Sequence, residues 1–171
     1  MALIVETGDL SNPGANTYVS RADYITFALS FGITIADTDA ADVQLTKAAL
    51  FIGQHEANLK GERVQRDQPM AYPRTGLVID GWDWSYTEIP RNVILCQQQL
   101  ALDINAGFDP WNPSANPNIL KKRARVEGAV DVTYAVSDST GQKLSRTSTA
   151  DALLNSLLNR SGLFSIPLVR A

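Results

Sequence analysis

His55 is the only histidine and Cys96 the only cysteine among the 171 residues of this chain. Acid–base, thiol or metal chemistry has to be built around one of each. His55 falls inside a helical stretch with Glu56 beside it, and adjacent helical residues point in different directions. A metal site needs several further ligands, so His55 reads as structural or solvent-facing. Cys96 has no base or cation near it in the sequence to generate thiolate, and it reads as an inert core residue. No serine stands in a G-x-S-x-G elbow. Gly76 and Gly81 lack the spacing and the G-K-S/T ending of a phosphate loop. Asp37, Asp39 and Asp42 read as the acidic start of a helix. These observations predict no catalytic residue, no metal site and no cofactor.

The remaining polar feature is the basic run Lys121, Lys122, Arg123 and Arg125. A nucleic-acid reading would pair it with the nearby aromatics Trp111 and Tyr134. The other reading is a solvated linker end, or a patch that meets acidic residues of a protein partner. The whole chain has a formal net charge of -3 and a pI near 5.1. That balance favours the second reading, since phosphate binding needs surplus Lys and Arg. The single cysteine excludes an internal disulfide. No stretch approaches the roughly 20 apolar residues of a membrane span. Met1 to Glu6 is too short and lacks the basic leader of a secretory signal.

The elements that must position these residues follow from periodicity and punctuation. Gly8 to Asn16 is turn-rich, and Ala2–Val5 either forms a short strand or docks on the core. A first helix is predicted from Ser20 to Leu29, with Ser20 as N-cap supported by Asp23. A second is predicted from Thr38 or Asp39 to Gly61. Its stripe Leu45, Ala48, Ala49, Ile52 and Leu59 is broken only by Glu56. Residues 62–89 form a connection longer than ordinary loops, too rich in Tyr72, Trp82, Trp84 and Tyr86 for simple disorder. Short strands are expected near Leu77–Ile79.

A third helix opens at Pro90 and runs to Ala106. Residues 109–118, with three prolines and three asparagines, read as a linker. Residues 126–136 alternate with period two, the pattern of a half-buried strand. A polar loop and a leucine-rich helix over 150–160 follow. The last segment, residues 161–171, is apolar and contains Pro167. The expected fold is mainly α: a small helical bundle over residues 1–160 with a short β-hairpin or strand element, and an extended C-terminal arm over 161–171.

Trp and Tyr are common anchors of protein interfaces. The loop aromatics Tyr72, Trp82, Trp84 and Tyr86, with Arg74, are therefore candidate contacts to another subunit or the next protein. So are Val130, Val132 and Tyr134 of the predicted strand. An apolar end should be buried against something, which makes Leu163, Phe164, Ile166, Pro167, Leu168, Val169 and Arg170 a second candidate surface.

The order of these words resembles one family. Ala15-Asn16-Thr17-Tyr18 follows an apolar start and a glycine-bearing turn. Lys47–Leu50, Gly61, Gln68 and Tyr72-Pro73-Arg74 come next. Ile89-Pro90 opens a helix, and Val126 to Tyr134 precedes Leu153 to Leu158. This succession is similar to the head-to-tail connector, or adaptor, proteins of tailed bacteriophages. Members also carry the label of DnaT-like single-stranded-DNA-binding proteins, which is the alternative function.

The resemblance implies a virion structural protein and not an enzyme. It would be made in the host cytoplasm and reside in the neck of the virion. It would form a homo-oligomeric ring, usually of twelve copies, beneath the portal protein, and carry the next neck or tail protein. DNA would pass through its lumen without sequence-specific contact, and no membrane would be involved. Residues 161–171 would then be the segment that docks on the portal.

Overall fold

The computed structural model describes residues 2–111, 121–124, 132–135 and 148–159. Helix α1 spans Arg21–Ser30, with Ser20 as N-cap as the sequence predicts. The Ser20 hydroxyl accepts from the Asp23 backbone N–H at 3.1 Å and donates to the Asp23 carboxylate at 2.6 Å. Helix α2 spans Asp39–Gln54 and stops short of the expected Gly61. The chain tightens into a 3₁₀ turn at Glu56–Asn58, and Leu59 continues in extended backbone. The break falls at Glu56, the one residue that interrupted the apolar stripe. Leaving the helix there buries Leu59 and turns the Glu56 carboxylate towards Arg63 and Arg74.

Two short antiparallel ladders then fold the long connection. Strand β1 (Glu62–Arg63) pairs with β2 (Arg74–Thr75), placing Glu62 opposite Thr75 and Arg63 opposite Arg74. Strand β3 (Val78–Ile79) pairs with β4 (Trp82–Asp83), so the expected strand at 77–79 is one half of a hairpin. Helix α3 spans Arg91–Asn105 and starts behind Pro90. Strand β5 (Lys121–Ala124) and strand β6 (Val132–Ala135) form a third antiparallel ladder. Helix α4 spans Ser148–Leu157.

The expected architecture needs two corrections. Four α-helices stand beside three two-stranded ladders among the described residues, so the fold is a mixed small one with more β-structure than the expected short hairpin or strand element. Lys121–Arg123, for which a solvated linker end was one reading, lie in β5. The period-two pattern over 126–136 is a strand over Val132–Ala135, and residues 126–131 and 136 lie outside the described residues.

Helix α3 is the centre of the packing, between α2 on one side and α4 on the other, with α1 touching α2 and α3. Its buried residues Val93, Cys96, Gln97, Leu100 and Ala101 recur at spacings of three and four. They meet Leu45, Ala48, Ala49 and Ile52 of α2, and Ala150, Leu154 and Leu157 of α4, in one core. Each fully buried Leu or Ile contributes about 1.5–3 kcal/mol relative to exposure. Helix α4 is also stitched to the segment after α2. The Lys60 N–H donates to the Leu157 carbonyl at 2.9 Å, and the Asn159 N–H to that of Asn58 at 2.7 Å. The Lys60 ammonium reaches the Ser156 carbonyl at 2.9 Å.

The N-terminal segment is held by side chains more than by ladder bonds. Val5 and Thr17 form an isolated parallel bridge, so Ala2–Val5 docks beside 16–17 without becoming a full strand. Asn16 accepts from the Ile4 N–H at 3.0 Å and donates to the Ala2 carbonyl at 3.1 Å.

Gln97 ties this segment to the helices. Its side-chain oxygen accepts from the Tyr18 N–H at 2.9 Å. Its NH₂ donates to the Thr17 hydroxyl at 2.8 Å and to the Leu45 carbonyl at 2.9 Å. Replacing it by Leu keeps the volume but orphans the buried Tyr18 N–H, at a cost of about 1–3 kcal/mol. Urea unfolding of Gln97→Leu is expected to show that loss, and an unchanged midpoint would contradict it.

Candidate functional site

The motif residues scattered through the sequence are brought together around the start of the long loop. Tyr18 is their hub. Its backbone is held by Gln97, and its hydroxyl accepts from the Tyr72 N–H at 3.1 Å. The two rings meet edge to face at 6.4 Å, a favoured aromatic geometry. Both are completely or almost completely buried, and burial pushes both phenols well above the usual tyrosine range. The Tyr72–Pro73 peptide bond is cis.

Gln68 organises the turn before it. Its side-chain oxygen accepts from the N–H groups of Val64 and Gln65, at 3.0 and 3.2 Å. Its NH₂ donates to the carbonyls of Met70 and Pro73, at 2.8 and 3.1 Å. The buried Arg74 guanidinium donates to the carbonyls of Lys60 at 2.8 Å, Gly61 at 2.7 Å and Ala71 at 3.3 Å. Gly61 has φ +72, and a Cβ there would lie 2.6 Å from the Thr75 carbonyl oxygen. Only glycine fits that conformation and that approach.

These contacts divide the predicted surface residues. Tyr72 and Arg74, expected at an interface, are buried ties within their own domain. Trp84 packs against the core, and its indole N–H is buried with no hydrogen-bond partner among the described residues. Trp82 and Tyr86 do face solvent, at 78% and 57% exposure. Trp82 stands next to the tight turn Asp80-Gly81, in which both residues have positive φ, 53 and 84. That pair of left-handed residues is what a two-residue hairpin loop demands. Asp80, Asp83 and Glu88, near the two aromatics in sequence, are exposed as well. Sequence reasoning missed Val78, and also Leu29, Phe31 and Ile33 near the end of α1, which are exposed as well. Phe31 and Ile33 lie beyond the end of α1, where helical periodicity carries no signal.

Val132 and Tyr134 belong to β6, and Tyr134 lies in register with Lys122 of β5. Val130 lies outside the described residues, as do Leu163, Phe164, Ile166, Pro167, Leu168, Val169 and Arg170.

No group of three or more potential metal ligands occurs among the described residues. His55 ends α2, with its ring edge-on to Phe51 at 5.1 Å, and Cys96 is buried. An open depression of about 500 Å³ is lined by Ala2, Leu3, Val5, Ser20, Arg21, Asp39 and Asp42. Its polar groups already satisfy one another. Arg21 makes a two-pronged contact with Asp42, at 2.6 and 2.5 Å, and reaches Asp37 at 3.0 Å. Arg21 beside Asp42 holds that carboxyl below its usual range.

Two measurements check this division. Tyr72→Ala empties a core site and is expected to cost about 3–5 kcal/mol, while Trp82→Ala should stay within about 0.5 kcal/mol of the parent. Equal losses in urea unfolding would refute it. The second measurement concerns Glu56, whose carboxyl is held below its ordinary 4.5 by Arg63 first and Arg74 second. A depressed folded-state value means the unfolded chain takes up the proton more readily. The stabilisation is whole above the ordinary value and fades as pH falls through the folded one. The stability gap between parent and Glu56→Gln should therefore be largest near about pH 7 and close towards about pH 3. A gap independent of pH would exclude the ion pair as its cause.

A family model described as "Putative DnaT-like ssDNA binding protein" matches residues 1–171. No curated protein and no solved structure matches the chain. The match runs through every element described above, from the Val5–Thr17 bridge to α4. The chain therefore belongs to the family described as putative DnaT-like ssDNA binding proteins.

Proposed function

We propose that this protein is a structural subunit that works by binding other protein chains, and specifically a head-to-tail adaptor of a tailed bacteriophage. In this reading copies assemble as a ring beneath the portal and carry the next neck or tail protein. DNA passes through the lumen without sequence-specific contact. The family description does not name this role. It is supported by the ordered resemblance, whose words at Tyr18, Gly61, Gln68, Tyr72 and Arg74 form one connected set of contacts.

The observation that carries the reading is the surface left over once those residues are turned inward. Trp82 and Tyr86 project among Asp80, Asp83 and Glu88. Exposed indole and phenol rings suit a protein interface, and carboxylates around them repel phosphates. Docking of residues 161–171 on the portal belongs to the same proposal. A chain lacking residues 163–171 should keep its unfolding midpoint and lose portal binding in a pull-down. Normal portal capture by the truncated chain would overturn the arm assignment.

A second reading, single-stranded-DNA binding, is favoured by the family description and by the register of Lys122 with Tyr134. A basic strand paired with a strand that carries an aromatic residue supplies the residue types that track a strand's phosphates and stack its bases. It predicts micromolar binding that weakens steeply with salt. A gel shift with an oligonucleotide decides between the two. No retention at low salt removes the second reading, and a salt-sensitive shift abolished by Tyr134→Ala would put it first.

A further inference from the structure

The two sides of α2 are both patterned. Leu45, Ala48, Ala49 and Ile52 are buried and form its core side. After Asp39, its exposed positions are Ala40, Val43, Lys47, Leu50 and Gln54. Their spacings run three, four, three and four. At 3.6 residues per turn these five side chains fall within about 80° of arc, on the side away from the core. Val43 and Leu50 are 48% and 57% exposed, two large apolar side chains seven residues apart in one helical row. Lys47 lies between them in that row, exposed, and has no ion-pair partner among the described residues.

A helix with one buried face ordinarily turns charged and polar residues to the other. The outer row of α2 instead follows the alternation of three and four that lets the residues of one helix enter between those of a second. It is apolar at Ala40, Val43 and Leu50 and carries one cation at its centre. A single polar residue in such a seam selects partner and register, because it has to be matched across the contact. A second copy of α2 does not match it. Parallel pairing, or antiparallel pairing with full overlap, brings the two Lys47 ammonium groups together in the middle, and like charges disfavour that contact. A carboxylate opposite Lys47 matches it.

We propose that the outer face of α2 docks a helix of another protein, one that carries an aspartate or glutamate between apolar residues at spacings of three and four. The carboxylate lies opposite Lys47, and the apolar residues pack on Val43 and Leu50. Recognition of an amphipathic helix through such anchors is an ordinary mode of binding. The proposal rests on the protein-binding reading and names the chemistry of one partner.

The test uses the full chain and two labelled peptides of about 18 residues, long enough to hold a helix in water. Both have leucine at the seam positions, and they differ only at the central one, glutamate in the first and lysine in the second. Binding is read by fluorescence anisotropy. The parent should bind the glutamate peptide at least about tenfold more tightly than the lysine peptide. Lys47→Glu should invert that preference. Leu50→Ala should weaken both peptides about tenfold without changing which is preferred. Both variants alter exposed side chains, and their urea midpoints should match the parent's.

Absence of binding, or equal binding of the two peptides, overturns the proposal, and so does a Lys47→Glu chain that keeps the parent's preference. A second copy as occupant is also excluded by the proposal. Self-association in sedimentation that strengthens with Lys47→Ala and vanishes with Leu50→Glu would establish that occupant instead. A midpoint lowered by Leu50→Ala, with no peptide bound, would mean that the chain's own residues cover this face. Portal capture that persists in Leu50→Glu, when neither peptide binds the parent, sinks this contact and leaves the adaptor reading standing. Charge-selective peptide binding by a chain that captures no portal sinks the adaptor reading and leaves this contact standing.

Discussion

A primary amide buried in the middle of a helix must find its partners inside the protein, because unpaired polar groups are costly away from water. Gln97 of α3 is in that position, and its partners are spread over the molecule. One is a carbonyl of α2, one a hydroxyl of the N-terminal segment, and one the backbone N–H of Tyr18. The consequence reaches further than three bonds. Fixing the Tyr18 backbone fixes its hydroxyl, which receives the Tyr72 N–H. Fixing Tyr72 sets where the chain passes Pro73, and so where Arg74 collects the carbonyls around Gly61. A loop of unusual length is thereby tied to the helical core, with Leu77 and Ile79 buried in it while Trp82 faces solvent.

This arrangement explains why the sequence was partly legible. The start of α1 was readable because Ser20 and Asp23 act locally, through bonds spanning three residues. The face of α3 was readable because burial against two helices imposes a period close to 3.6. The end of α2 was not, since the stop is set by what Leu59 and Lys60 reach in α4, almost a hundred residues later. The loop aromatics were legible as a group and not one by one. Tyr72 and Trp82 are both aromatic residues in a turn-rich stretch. Tyr72 faces inward onto Tyr18, which lies 54 residues away. No local pattern carries that information.

The candidate site shows the same limit. Arg74 was singled out for its place in a motif, and the structure makes it a tie between backbone segments. A solvated linker end was one reading of the basic run. The pairing of Lys121–Ala124 with Val132–Ala135 depends on a partner strand whose own alternation was visible. The strand signal on one side of the ladder was clear, and the charged side carried none, since Lys and Arg are not strand formers by propensity.

The two functional readings differ in what the surface is asked to do, and the charge distribution bears on both. The chain carries an excess of acidic residues before residue 112 and an excess of basic residues after it. Strong binding of a polyanion needs the basic part to be uncompensated. The same Lys121, Lys122 and Arg123 cannot satisfy both readings fully, because cations neutralised by carboxylates of a protein partner have fewer counterions to release onto phosphate. Protein binding and single-stranded-DNA binding through β5 would therefore compete for one strand.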